Sequence, residues 1–321
     1  MRERAKALAE NLTPPDSRLT TPLAVICALE EELCHLRAAL PAGEVQWHAG
    51  RRYEVTTFGG RTIVLTLCGI GMLSAAAVTE AMIGRWEPTA ILNYGCTGAH
   101  RDDLLPGDLV IATRTVAYDN INVSPEGEER YSRMRYLRRG EQERADYFAA
   151  DPALLAQAQR ASVRLEGQHE PWPPASGWPD QVPHRTPRVV TGTVASADRW
   201  NRARERISGL VTAHDSSCED MEAAAIALVC ASHDVPFLSI KDISNNELLR
   251  VTDSVSFQAL GPQLGRRAAM LMLATLREIT GAEQAKRLSI DSAEVLHRGS
   301  VDLRWVVRLE KKEAIGVRRG G

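Results

Sequence analysis

Glu219-Asp220-Met221-Glu222-Ala223-Ala224-Ala225-Ile226-Ala227-Leu228-Val229-Cys230 sets carboxylates directly against an unbroken apolar run. The run suits a helix over 221–233 that buries its face in the core. Glu222 opens that helix. A carboxylate in such a place is costly to desolvate unless it holds a partner or performs a task. The segment therefore marks a buried helix of a layered protein and, at its start, a candidate site.

Working outward, short apolar runs alternate with helical patterns. Strands are expected at 23–27, 52–58, 62–68, 90–94, 109–112, 189–194 and 237–240, and helices at 30–40, 73–86, 152–166 and 257–280. The strands are apolar throughout, as a sheet covered on both faces requires, so the fold class is α/β. Chemistry in such sheets gathers where strands end. Three ends here carry Gly-rich or polar signals, at 68–71, 95–98 and 241–247. Residues 1–20 read as a polar arm, 21–283 as one domain with a Pro/Trp-rich insert at about 168–186, and 284–321 as a basic extension.

The bulk composition narrows the function classes. The chain has 321 residues, 44% of them hydrophobic and 25% charged, with a net charge of −2. Nothing global points to nucleic acid or an anionic membrane, and no run approaches the roughly 20 apolar residues of a membrane span. The six cysteines are scattered and form no Cys-x-x-Cys pair. Neither a metal site nor a disulfide framework is expected, and the thiols suit the cytoplasm.

Six segments, in order, resemble the purine nucleoside phosphorylase/uridine phosphorylase superfamily. They are Ala28-Leu29-Glu30-Glu31-Glu32, Cys68-Gly69-Ile70-Gly71, Asn93-Tyr94-Gly95-Cys96-Thr97-Gly98, Ser196-Ala197-Asp198-Arg199-Trp200, Asp220-Met221-Glu222-Ala223-Ala224-Ala225 and Ile243-Ser244-Asn245. The pattern is most similar to the hydrolase branch, the methylthioadenosine/S-adenosylhomocysteine nucleosidases and futalosine hydrolases. The resemblance implies a three-layer α/β/α sandwich with a central mixed, partly closed sheet. It also implies cleavage of a purine nucleoside at its N-glycosidic bond without cofactor or metal, and a homodimer in the cytoplasm.

The resemblance assigns roles residue by residue. Glu32 orients or deprotonates the attacking water; read alone, it is a surface glutamate at an acidic helix start, which favours negative charge. Glu222 accepts hydrogen bonds from the ribose hydroxyls, with Met221 packed near the sugar. Trp200 stacks on the purine, against the plain alternative of a core tryptophan beside Val194, and backbone groups near Asn201 read the base edge. Ala28, Gly71, Cys96, Gly98, Asp220 and Ser244 join the substrate site, and Thr97 with its glycines offers an anion-binding turn. Lys241 stands where the branch usually has arginine and lacks the planar fork. Lys241 and Asp242 are expected to pair with each other or to bind a substrate anion.

Asn245 is the main departure. Adenine-releasing members carry aspartate there to protonate N7. An amide cannot deliver a proton, but it offers a donor and an acceptor that match O6 and N7–H of a 6-oxopurine. The expectation is therefore a hydrolase releasing a 6-oxopurine. The alternatives are a methylthioadenosine/S-adenosylhomocysteine nucleosidase, a purine nucleoside phosphorylase, and a nucleoside-binding module without turnover. The acidic first loop would repel phosphate, which favours water as nucleophile. The charged segment 124–139 and the Pro/Trp-rich insert suggest a polar or bulky 5′ group.

Overall fold

A computed structural model describes residues 21–171, 180, 183–249 and 261–282, all within one compact unit. The polar arm, most of the Pro/Trp-rich insert, the first residues of the expected last helix and the basic extension lie outside the described residues.

Strand β1 (Leu23–Cys27) is buried at every position, and its side chains serve two cores. Leu23, Val25 and Cys27 join one cluster, while Ala24 and Ile26 join the other. That alternation is why the run reads as continuously apolar. On the first face, α1 (Glu30–Ala39), α3 (Pro152–Arg164) and α6 (Arg266–Thr280) contribute Leu33, Leu36, Leu154, Leu271 and Met272. On the second face, α2 (Met72–Trp86) and α5 (Ala223–Ser232) contribute Val78, Met82, Ile226 and Val229. Each such fully buried aliphatic side chain contributes about 1.5–3 kcal/mol. The result is the expected three-layer sandwich.

The sheet is mixed and partly closed. Its hub is β5 (Ala90–Ala99), which takes β1 in parallel along one edge and β14 (Phe237–Asn245) in parallel along the other. Beyond β14 comes β6 (Leu109–Ala117), antiparallel, then β12 (Val189–Ser196), parallel to β6. Next is β13 (Ser216–Asp220), parallel to β12, and β13 returns antiparallel to the far end of β5. Five strands thus close a ring. Outside it, β1 leads to β4 (Arg61–Leu67), β3 (Arg51–Phe58) and β2 (Glu44–His48), and β11 (Phe148–Ala149) borders β6. Two hairpins follow β6: β7 (Ile121–Val123) with β8 (Glu129–Tyr131), and β9 (Met134–Arg138) with β10 (Glu141–Ala145). Helix α4 (Arg204–His214) packs on β12 and β13. Among the described residues, no helix is long and apolar enough to cross a membrane.

Two strands run further than their apolar cores. The Gly95-Cys96-Thr97-Gly98 segment continues β5, and Lys241 to Asn245 continue β14, because both are paired inside the ring. The helix expected from residue 221 begins at Ala223, with Glu222 as its N-cap. The residues before it form β13, a strand the sequence did not announce.

Candidate active site

Three helix starts meet the ring. Glu32 lies in the first turn of α1, where Oε2 turns back to accept the N–H groups of Leu29 at 3.1 Å and Ala28 at 3.2 Å. This is the reach-back half of a capping box. Oε1 accepts the N–H of Cys96 at 2.8 Å. The carboxylate lies over Gly95, where an added Cβ would fall 2.6 Å from Oε1. A side chain at 95 would displace this carboxylate from its bond to Cys96. Glu32 thus caps its helix and also points into the ring.

Glu222 sits at the start of α5. Its Oε1 accepts the N–H of Gly71 at 2.8 Å, and Oε2 the N–H of Met221 at 3.3 Å. Gly71 is the N-cap of α2 at φ +104°. The next N–H, of Met72, is taken by Asp198 Oδ1 at 2.7 Å. The Gly-rich turn thereby joins the start of α5 and the loop after β12.

Lys241 is buried between these acids. Its Nζ lies 2.7 Å from Asp220 Oδ2. Asp220 also accepts Ser196 Oγ at 2.5 Å and the Ala223 N–H at 3.0 Å. Asp220 thus fixes Lys241 and the start of α5 together. The expected Lys241–Asp242 pair does not form, because consecutive residues of β14 point to opposite sides. Asp242 instead accepts the Arg267 N–H at 3.1 Å, at the start of α6.

Burial sets the protonation of the site. Burial raises the Glu32 carboxyl, against the Cys96 N–H and the Lys241 charge. Burial, with Asp220 next, pushes Glu222 up to about 8, against Lys241 and the Gly71 N–H. Burial alone would lower Lys241, but the charges of Asp220 and Glu222 outweigh it and hold the ammonium protonated. Three acidic side chains around one ammonium make the cluster poorly suited to an incoming phosphate.

The remaining residues form the adjoining floor. Ser244 Oγ lies 3.1 Å from the Thr97 carbonyl and 2.9 Å from Asn245 Oδ1. Thr97 Oγ1 donates to the Glu219 carbonyl. A Cβ on Gly98 would lie 3.4 Å from Asn245 Nδ2. Asn245 Nδ2 also reaches Glu247 at 3.2 Å. Trp200 is 63% exposed, so it is not the core tryptophan of the plain reading, while neighbouring Asn201 is buried. Sequence reasoning missed Ser196 and Asp198 as positioning groups, and it missed Glu219. The signal was present for Glu219: a further carboxylate in a segment that is buried throughout.

The fold is a mixed-sheet α/β sandwich whose closed ring carries a cluster of buried acids around one lysine. The chain belongs to the phosphorylase superfamily, whose family model matches residues 22–277. It is 27% identical over 258 residues to the 5′-methylthioadenosine/S-adenosylhomocysteine nucleosidase of Bacillus thuringiensis (strain Al Hakam), covering 80% of this chain and 99% of that protein. Its fold is shared with futalosine hydrolase of Helicobacter pylori strain 26695, at TM-score 0.63 and 20% identity, covering 81% and 99% of the two chains. It is also shared with the 5′-methylthioadenosine/S-adenosylhomocysteine nucleosidase of S. pneumoniae, at TM-score 0.63 and 24% identity, covering 81% and 100%. The similarity is thus to the nucleosidase branch.

Proposed function

We propose that the protein hydrolyses the N-glycosidic bond of a purine nucleoside. The observation that carries this is the pair of buried carboxylates, Glu32 and Glu222, that share the field of Lys241. Glu32 holds a water and takes its proton as the water attacks the anomeric carbon. Glu222 accepts the ribose hydroxyls, and its negative charge favours the oxocarbenium-like sugar. The C–N bond breaks with its electron pair going to the base, which leaves near Gly98 and Asn245 and takes its proton from solvent. Lys241 is held by Asp220, which leaves it poorly disposed to gather phosphate.

The relatives support a 5′-thio-substituted adenosine, of the methylthioadenosine/S-adenosylhomocysteine kind, better than the 6-oxopurine nucleoside expected from the sequence. One observation favours the second reading: the side chain at 245 is an amide and cannot deliver a proton to N7. The deciding assay is base release from matched adenosine-type and inosine-type nucleosides, with and without phosphate. Phosphate-dependent turnover would refute hydrolysis. On the second reading, Asn245→Asp shifts kcat/KM toward the adenosine type by about tenfold or more. A wild type that already releases adenine at least as well as hypoxanthine removes that reading and leaves the thioadenosine one.

The same family reading makes the protein a homodimer, with the β7–β10 hairpins at the subunit boundary. Val123 and Tyr131 present apolar surface there, at 64% and 44% exposure. Light scattering should give twice the chain mass, and a stable, active monomer would refute the assignment.

A further inference from the structure

Asp242 is a buried carboxyl that the mechanism above does not use. Alternation along β14 turns it away from Lys241 and toward α6. It is 1% exposed. Oδ2 accepts the Arg267 N–H at 3.1 Å, and Oδ1 has no hydrogen-bond partner among the described residues. Burial pushes the carboxyl up to about 7, against the charge and the N–H of Arg267. A buried polar group with so few bonds is costly to keep.

The bond it makes is a helix cap supplied from the sheet. Helix α6 opens on Gly265, which has no side chain to satisfy the first N–H groups. Arg267 is the second residue of the helix, and its N–H is one that an N-cap side chain ordinarily takes. Asp242 takes it from β14. Its anionic form also suits the positive end of the helix.

The capped end lies on Glu32. Gly265 stands at φ +66°, and a Cβ built on it would fall 3.0 Å from Glu32 Cβ and 3.1 Å from Glu32 Cα and Cγ. The start of α6 thus backs the stem of Glu32, while the N–H groups of Ala28, Leu29 and Cys96 hold its oxygens. We propose that Asp242 is a positioning residue for Glu32: by capping α6 from within the sheet, it keeps Gly265 seated against the glutamate stem. A stem without that backing has room to rotate, and the carboxylate then leaves the line of the water's attack. The inference rests on the hydrolase reading, in which Glu32 holds the water.

The test measures kcat and KM for Asp242→Ala and Asp242→Asn on a purine nucleoside that the wild type cleaves. Alanine removes the cap. Its kcat should fall about tenfold or more, the scale on which small misplacements of a reacting group act. KM should hold, because Glu32 meets the water and makes no contact with the base. Asparagine keeps an acceptor oxygen at the same reach and should restore most of the kcat. A merely structural role would lower the melting temperature but leave kcat per folded molecule unchanged, and that result overturns the inference. Equal damage in the two variants overturns it too, as does a loss carried by KM. If Asp242→Ala does not fold, Gly265→Ala reads the same seat from the other side. Its Cβ would press on Glu32, so kcat should fall with KM held, and an unchanged kcat overturns the proposal. A wild type that hydrolyses no purine nucleoside refutes the hydrolase reading and this inference with it. An active wild type whose alanine variant keeps its kcat refutes this inference alone.

Discussion

Glu222→Gln is expected to leave a folded, soluble protein that has lost about 10² or more in kcat/KM, the scale of removing a main electrostatic contributor. The amide keeps the size of the side chain and can still accept from Gly71 through its oxygen. It removes the negative charge facing the sugar. The pH profile supplies a second readout. Burial and Asp220 raise the Glu222 carboxyl to about 8, so at neutral pH the free enzyme holds it largely protonated. The ionised form is the one that stabilises the cation. The wild-type kcat/KM should therefore rise with pH through about 8, and the residual activity of the variant should lack that limb. Near wild-type rates in the variant would sink the assignment of Glu222.

Glu32→Ala is expected to abolish hydrolysis while leaving base binding intact, because the water and the purine occupy different sides of the sugar. The substitution also strips acceptors from the N–H groups of Ala28, Leu29 and Cys96. A stability loss of about 1–3 kcal/mol should accompany it. Calorimetry with free base separates the two effects. An equal collapse of base affinity would mean that Glu32 supports the whole pocket and has no dedicated role with the water.

Much of the scaffold was legible because burial on both faces leaves an unmistakable apolar run. Strand β1 spans 23–27 as expected, and the acidic segment Glu219 to Glu222 leads into α5. Strand β13 was not legible. Its residues, Ser216 to Asp220, are buried yet mostly polar, since their side chains pair with groups from distant segments. Hydrophobic periodicity has nothing to register there. The same gap hid Glu219, whose partners Tyr118 and Asn201 come from separate loops. Lys241 was seen as a departure, but its partner was misassigned. Adjacency along the chain suggested Asp242, whereas strand alternation sends the two apart and delivers Lys241 to Asp220. The residues that gather at the ring were thus readable in one dimension as candidates, and the couplings among them only in three.

The closed ring of β5, β14, β6, β12 and β13 also governs how the protein meets other chains. Strands that pair in a circle offer no unsatisfied backbone for a foreign strand to join. Among the described residues the main sheet has edges at β2 and β11, and β11 is only two residues long. The β2 edge is longer and carries Val45 and Trp47, 43% and 72% exposed. Among the described residues, edge-to-edge recruitment, the usual opening move of β-aggregation, falls in this sheet on the β2 seam, remote in strand order from the ring that carries the candidate site.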